Sequence, residues 1–143
     1  MADYKPRITK KPMLTKINIE FIPHHQQRYE TVGDYFFDVD GVLQIRISQM
    51  KVEIHAMAVL IHELTEMALL RHEGKVTFED VDKFDFEFEE KRKRGEVDDE
   101  EEPGMAVDCP YRDQHLIATS VEMAVIASAK VSWKEYEDEI YAL

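Results

Sequence analysis

Lys51-Val52-Glu53-Ile54-His55-Ala56-Met57-Ala58-Val59-Leu60-Ile61-His62-Glu63-Leu64-Thr65-Glu66-Met67-Ala68-Leu69-Leu70-Arg71-His72-Glu73 is the stretch that decides how this 143-residue chain folds. Ile54, Met57, Ala58, Ile61, Leu64 and Ala68 recur three and four residues apart, the period of an α-helix. Leu60, Met67, Leu69 and Leu70 widen that stripe. A helix apolar on most sides is largely buried. Gly74 follows as a C-terminal stop. A buried helix needs other layers around it, and the flanking sequence must supply them.

On the N-terminal side, Leu14 to Ile22 alternates apolar and polar residues with a period near two, the mark of a half-buried strand that Pro23 ends. Gln27 to Phe37 carries a second strand pattern through Tyr29, Val32, Tyr35 and Phe37. Asp40-Gly41 is a turn signal, and Val42 to Ser48 places Leu43, Ile45 and Ile47 on one face. On the C-terminal side, Thr77 caps a helix starting near Phe78, with Asp80 as a capping-box variant. Residues 95–110 read as an acidic, partly mobile surface loop, and Arg112 to about Tyr141 as one final helix. The expected fold is therefore α+β: a small N-terminal antiparallel sheet against a mainly helical body with two long helices. Residues 1–12 are expected to be a flexible arm. Residues 13–143 are expected to form one domain, with the sheet in 13–49, helices in 51–94, the acidic loop in 95–110 and the last helix in 111–143.

Composition narrows the function classes. The formal net charge is -12, which opposes a phosphate backbone, so no nucleic-acid partner is expected. The basic run Lys91 to Arg94 is offset by the acids Asp98 to Glu102. Cys109 is the one cysteine, which excludes an intrachain disulfide. The longest apolar run, around Ala56 to Ile61, is too short to span a bilayer. The N-terminus lacks the apolar run of a signal peptide, and a cytoplasmic protein with no membrane partner is the expectation.

The chemistry lies within the long helix. His62 and Glu66 are four residues apart and share a face at one turn of separation, a spacing at which two side chains can hold one divalent metal. Glu63 stands where the His-Glu-x-x-His arrangement has its general base. A carboxylate in an apolar helix is costly unless it is paired or bound to metal. His55, two turns before His62, extends the polar stripe. A buried polar network without metal and a solvated face are the competing readings of that stripe. A catalytic zinc ion needs a third ligand. His115 and Glu122 are candidates, seven residues apart on the last helix and able to meet His62 and Glu66 if the two helices run antiparallel. Asp85, between Phe84 and Phe86, is another, either as a ligand or as the holder of a ligand imidazole. His24 and His25 read as exposed loop residues.

The run His62 to Leu70, Val81 to Asp85, Glu102-Pro103-Gly104, Pro110 to His115 and Glu122 resembles a family of short tailed-bacteriophage proteins of unassigned activity, over about the last two-thirds of the chain. The long helix and the sheet before it also resemble a minimal zincin-type metallopeptidase. That resemblance implies ligand roles for His62 and Glu66 and the base role for Glu63. The chain departs from the zincin pattern at Glu66, where a second histidine is usual. The expected activity is metal-dependent hydrolysis of a peptide or small amide, with zinc as the expected divalent ion. The alternative is a non-catalytic phage structural or host-interaction protein with a structural metal or a buried polar network. A small peptide or a host protein is the expected partner, the host cytoplasm the expected location, and the oligomeric state is left open.

Overall fold

Leu43, Ile45 and Ile47 alternate with Gln44 and Arg46 and are fully buried. Removing each from water contributes roughly 1.5–3 kcal/mol. The computed structural model describes residues 13–143, and the expected arm at 1–12 lies outside the described residues. Strands β1 (Ile17–Ile22), β2 (Gly33–Phe37) and β3 (Leu43–Ser48) form a sheet in the order β1-β3-β2. The β2–β3 pair is the expected antiparallel hairpin, with Tyr35 opposite Ile45. Its turn is built by the Asp38 carboxylate, which accepts from the backbone N–H groups of Asp40 and Val42 at 2.9 Å, and by Gly41 at φ 77°.

The expectation of an all-antiparallel sheet is corrected at β1, which runs parallel to β3 with Ile19 opposite Ile45. The connection after Pro23 is long enough to carry β2 one strand position beyond β1. The tight hairpin then returns β3 into the gap between them. The second strand is also shorter than its sequence pattern. Arg28 and Tyr29 leave the strand pattern because their side chains are committed elsewhere, Arg28 to Asp34 and Asp82 and Tyr29 to Asp85.

Helices α1 (Glu53–Glu73), α2 (Phe78–Lys93), α3 (Arg112–Ser128) and α4 (Trp133–Tyr141) make up the body. Helix α1 ends as expected at Gly74, whose left-handed φ of 65° lets its N–H reach the Leu70 carbonyl at 3.0 Å. Its N-terminus has no side-chain cap of its own. Glu139 of α4 instead accepts from the backbone N–H groups of Lys51 and Val52 at 3.2 Å. The capping box at Thr77 and Asp80 is present in both directions.

The single last helix is corrected to two. Lys130 takes φ 58°, and Ser132 restarts the chain as an N-cap accepting from the Glu135 N–H, so α3 and α4 meet at 119°. The β-branched Val131 and the Ser132-x-x-Glu135 pattern mark that break in the sequence.

Helices α1 and α3 pack side by side. Their cross-pairs run His62 with Glu122, Glu66 with His115 and Glu73 with Gln114, which makes them antiparallel. Residues 95–110 form an irregular, largely exposed loop, as expected, but one tied to the body. Arg92 donates to the backbone carbonyls of Asp98, Asp99 and Glu101 and so draws the acidic run back onto α2. The segment then makes a 3-10 turn at Pro103–Met105 and buries Gly104 and Cys109. Among the described residues no single helix is long and apolar enough to cross a membrane.

Candidate metal centre

One turn of α1 separates His62 from Glu66, and both face α3, where His115 sits one turn inside the helix start. One ligand atom from each of these three side chains lies within 4.8 Å of the other two, and the structure therefore contains a buried cluster able to coordinate a metal ion. Glu66 Oε2 is 3.3 Å from His62 Nε2 and 3.1 Å from His115 Nδ1. Donor atoms about 2.0–2.2 Å from a tetrahedral zinc lie about 3.3–3.6 Å from one another, so the two separations from Glu66 Oε2 are within a few tenths of an ångström of that spacing.

Each of the three side chains is held by its remaining polar atom. His62 Nδ1 lies 2.7 Å from Glu122 Oε1, His115 Nε2 lies 3.2 Å from Glu102 Oε2, and the Tyr35 hydroxyl donates to Glu66 Oε1 at 2.5 Å. Tyr136 in turn donates to Glu122. Partners of this kind fix a ligand's tautomer and orientation. Glu122, expected as a possible ligand, thus stands behind His62 rather than in the three-residue group. Asp85 lies outside that group too, accepting from the hydroxyls of Tyr29 and Tyr111. His55 is turned away, with Nδ1 3.2 Å from Glu139 Oε1 and its ring edge-on to Tyr136. His24 bonds Ser48 and Glu30, and His25 is exposed.

Electrostatics explain how this cluster survives burial. Burial alone would lower the pKa of His62, but hydrogen bonds to Glu122 and Glu66 outweigh it and raise the value to about 11. His115 rises to about 9 as Glu102 and Glu66 overcome the same penalty. Burial would raise Glu66, yet the two imidazoles hold it down at about 2. Both shifts favour the protonated form of the two imidazoles, which sit among Glu66, Glu102 and Glu122. A divalent cation with two neutral imidazoles carries the same total charge as two imidazolium ions, so uptake of an ion by this cluster would be coupled to loss of protons from it.

Glu63 lies beside the cluster, with its carboxyl against the backbone of β2. A Cβ added at Gly33 would stand 2.6 Å from Glu63 Oε1, so only glycine leaves that carboxyl its place. Burial, with Glu66 and Asp34 adding to it and His62 opposing, pushes Glu63 up to about 8. Burial likewise pushes Asp85 up to about 7 against the opposing donors Tyr111 and Tyr29. Both residues line a cavity of about 320 Å³ that also exposes His62, Glu66 and His115. Exposed acids from Asp99 to Glu102 form part of its rim. Gly104 closes the far side of His115, and a Cβ there would overlap the imidazole ring. Burial lifts the Cys109 thiol to about 12, which removes it as a nucleophile near neutral pH.

Sequence reasoning did not single out Tyr35, Tyr136, Glu102 or Gly104 for these positions. Tyr35 had a readable signal, two residues from Gly33 on the inward face of β2. Glu102 was masked by the four acids before it, and Tyr136 could be placed only once the bend before α4 was known. No protein-family model, no curated protein and no solved structure matches this chain.

Proposed function

We propose that this protein is a metal-dependent hydrolase of a peptide or small amide, with His62, Glu66 and His115 holding a divalent ion and Glu63 serving as general base. The observation that carries this reading is that one ligand atom from each of three side chains lies within 4.8 Å of the other two, beside a carboxyl that lines the same cavity. Two imidazole nitrogens and one carboxylate oxygen suit zinc in a catalytic site, although the carboxylate also admits manganese or iron. Such an ion, when bound, polarises a carbonyl and lowers the pKa of a water. Glu63 then accepts the attacking water's proton and returns it to the leaving amine. Burial raises the Glu63 pKa, which favours return of the proton to the leaving amine once it has been taken. Tyr35, Glu102 and Glu122 hold the three ligand side chains in orientation.

A second reading has its own support. Without metal, both imidazoles and Glu66 are fully engaged with one another, so the network stands as a structural element by itself. On that reading the protein is non-catalytic and docks on a host or phage protein. The setting we propose in either case, on the sequence resemblance to tailed-phage proteins, is the cytoplasm of a bacterial host.

The test begins with protein purified without added metal, analysed for bound elements and then titrated with zinc and manganese. The loaded protein is incubated with a mixed peptide library and products are read by mass spectrometry. Hydrolysis by the wild type that Glu63→Gln abolishes while still binding metal supports the enzyme. Metal binding with no hydrolysis of any peptide favours the second reading. Failure of the wild type to bind either ion defeats the metal site itself.

A further inference from the structure

We infer that the outer face of α3 is the interface of a two-fold symmetric dimer of this chain. From Leu116 to Ala129 the one charged residue is Glu122, and it points inward to His62. The opposite face is apolar and open to solvent. Ile117 is 51% exposed and Met123 50%, with Leu116 and Val121 beside them. Exposed Ser120, Ala124 and Ala127 lie between these larger side chains along the helix. Scattered exposed apolar residues need no explanation, but a contiguous uncharged helix face does.

The charge distribution selects the occupant. Two copies of a chain with net charge -12 repel each other over most of their surface. A face without charge is where like-charged copies can approach, and its ends are complementary. Exposed Asp113 lies at the start of α3 and exposed Lys130 just beyond its end. An antiparallel crossing with its axis near Val121 and Glu122 sets Leu116 against Ala127 and Met123 against Ser120, large against small. It also brings Asp113 of one copy towards Lys130 of the other. Each contact then occurs twice, as a two-fold interface requires. Complete burial of these exposed side chains would remove on the order of 500 Å² per copy, so a dimer resting on this face alone has an interface of at most about 1,000 Å², at the small end for a specific contact. A lipid surface fits less well, because neighbouring α4 presents Glu135 and Asp138 to solvent, and anionic headgroups would repel them. The inference does not depend on the metal reading, although α3 carries His115 and Glu122 on its inner side.

Sedimentation velocity of the full chain from about 1 to about 100 μM tests it, with a midpoint expected in the micromolar range for an interface of this size. Ile117→Glu is expected to raise the dissociation constant at least about tenfold, since it places a charge on the apolar surface of the contact, about one turn from the axis. Lys130→Glu is expected to weaken the dimer severalfold, and the double variant Asp113→Lys/Lys130→Glu to restore it. Circular dichroism of each variant checks that the fold is retained. A wild type that stays monomeric over the whole range would overturn the proposal. So would a dimer indifferent to Ile117→Glu, or a double variant no tighter than Lys130→Glu alone.

Discussion

Glu122 Oε1 lies 2.7 Å from His62 Nδ1, so an acid on the third helix fixes which nitrogen of a first-helix histidine faces the cluster. With Nδ1 occupied, Nε2 is directed at Glu66. Glu122→Ala frees the ring to rotate and to change tautomer. The expected outcome is a metal affinity about 10–100-fold weaker than wild type, the usual cost of losing such a partner. Glu122→Gln, which can still accept from Nδ1, should lose less. Competition against a chromophoric zinc chelator measures all three proteins, and equal affinities for Glu122→Ala and wild type would show that Glu122 does not orient the ligand.

Loss of protons from the two imidazoles on metal binding would have a direct calorimetric signature. His115 stays protonated in the metal-free protein up to about pH 9 and His62 up to about pH 11. Metal binding at pH 7 must therefore displace a proton from each. Apparent affinity should rise about 100-fold per pH unit below pH 9, then about tenfold per unit until His62 titrates. Titration calorimetry in buffers of different ionisation enthalpy counts the released protons. A count clearly below two would contradict the imidazolium description of both rings.

Two glycines allow the proposed metal binding and the proposed chemistry to be tested separately. Gly104 touches the ring of His115, and Gly33 touches the end of the Glu63 side chain. Gly104→Ala must push an imidazole that is already held by Glu66 and Glu102, so metal affinity should fall by about tenfold or more. Gly33→Ala displaces a carboxylate at the far end of a side chain able to move, so metal binding should remain near wild type. If Glu63 is the base, turnover should then fall about 100-fold, the cost of a misplacement near 1 Å. Paired metal titrations and turnover assays resolve the two. Loss of metal by Gly33→Ala would place Glu63 among the ligands instead.

The parts of the site legible in the sequence are those set by local geometry. The spacing of His62 and Glu66 follows from helix periodicity, and β3 and the Thr77 cap from equally short-range rules. His115 and Glu122 were legible as a pair on one helix face, but not in their roles. Which of them meets the open side of His62 depends on the register between two helices, and that is set by packing across the whole interface. The parallel placement of β1 depends on a long connection whose path no local pattern encodes. Asp85 shows the same limit. Its place between two phenylalanines signalled burial, but its partners, Tyr29 and Tyr111, come from two distant segments.

Asp85 also gives a test of stability against pH. Burial raises its folded pKa to about 7, while the Tyr111 and Tyr29 hydroxyls pull the other way. The unfolded value is about 3.9. Between these two pH values the folded chain holds a proton that the unfolded chain has released, so stability must fall as pH rises. The contribution is fully present below about pH 4 and is lost as pH passes through about 7. The limiting slope for one proton is about 1.4 kcal/mol per pH unit. Asp85→Asn cannot titrate, and subtracting its stability from that of wild type isolates this group from the other acids. Urea unfolding of EDTA-treated protein at pH 5 and pH 8 supplies the comparison. Wild type should lose ground to Asp85→Asn between the two conditions by about 1 kcal/mol or more. An unchanged difference would mean that the two tyrosine hydroxyls already keep Asp85 ionised at pH 5.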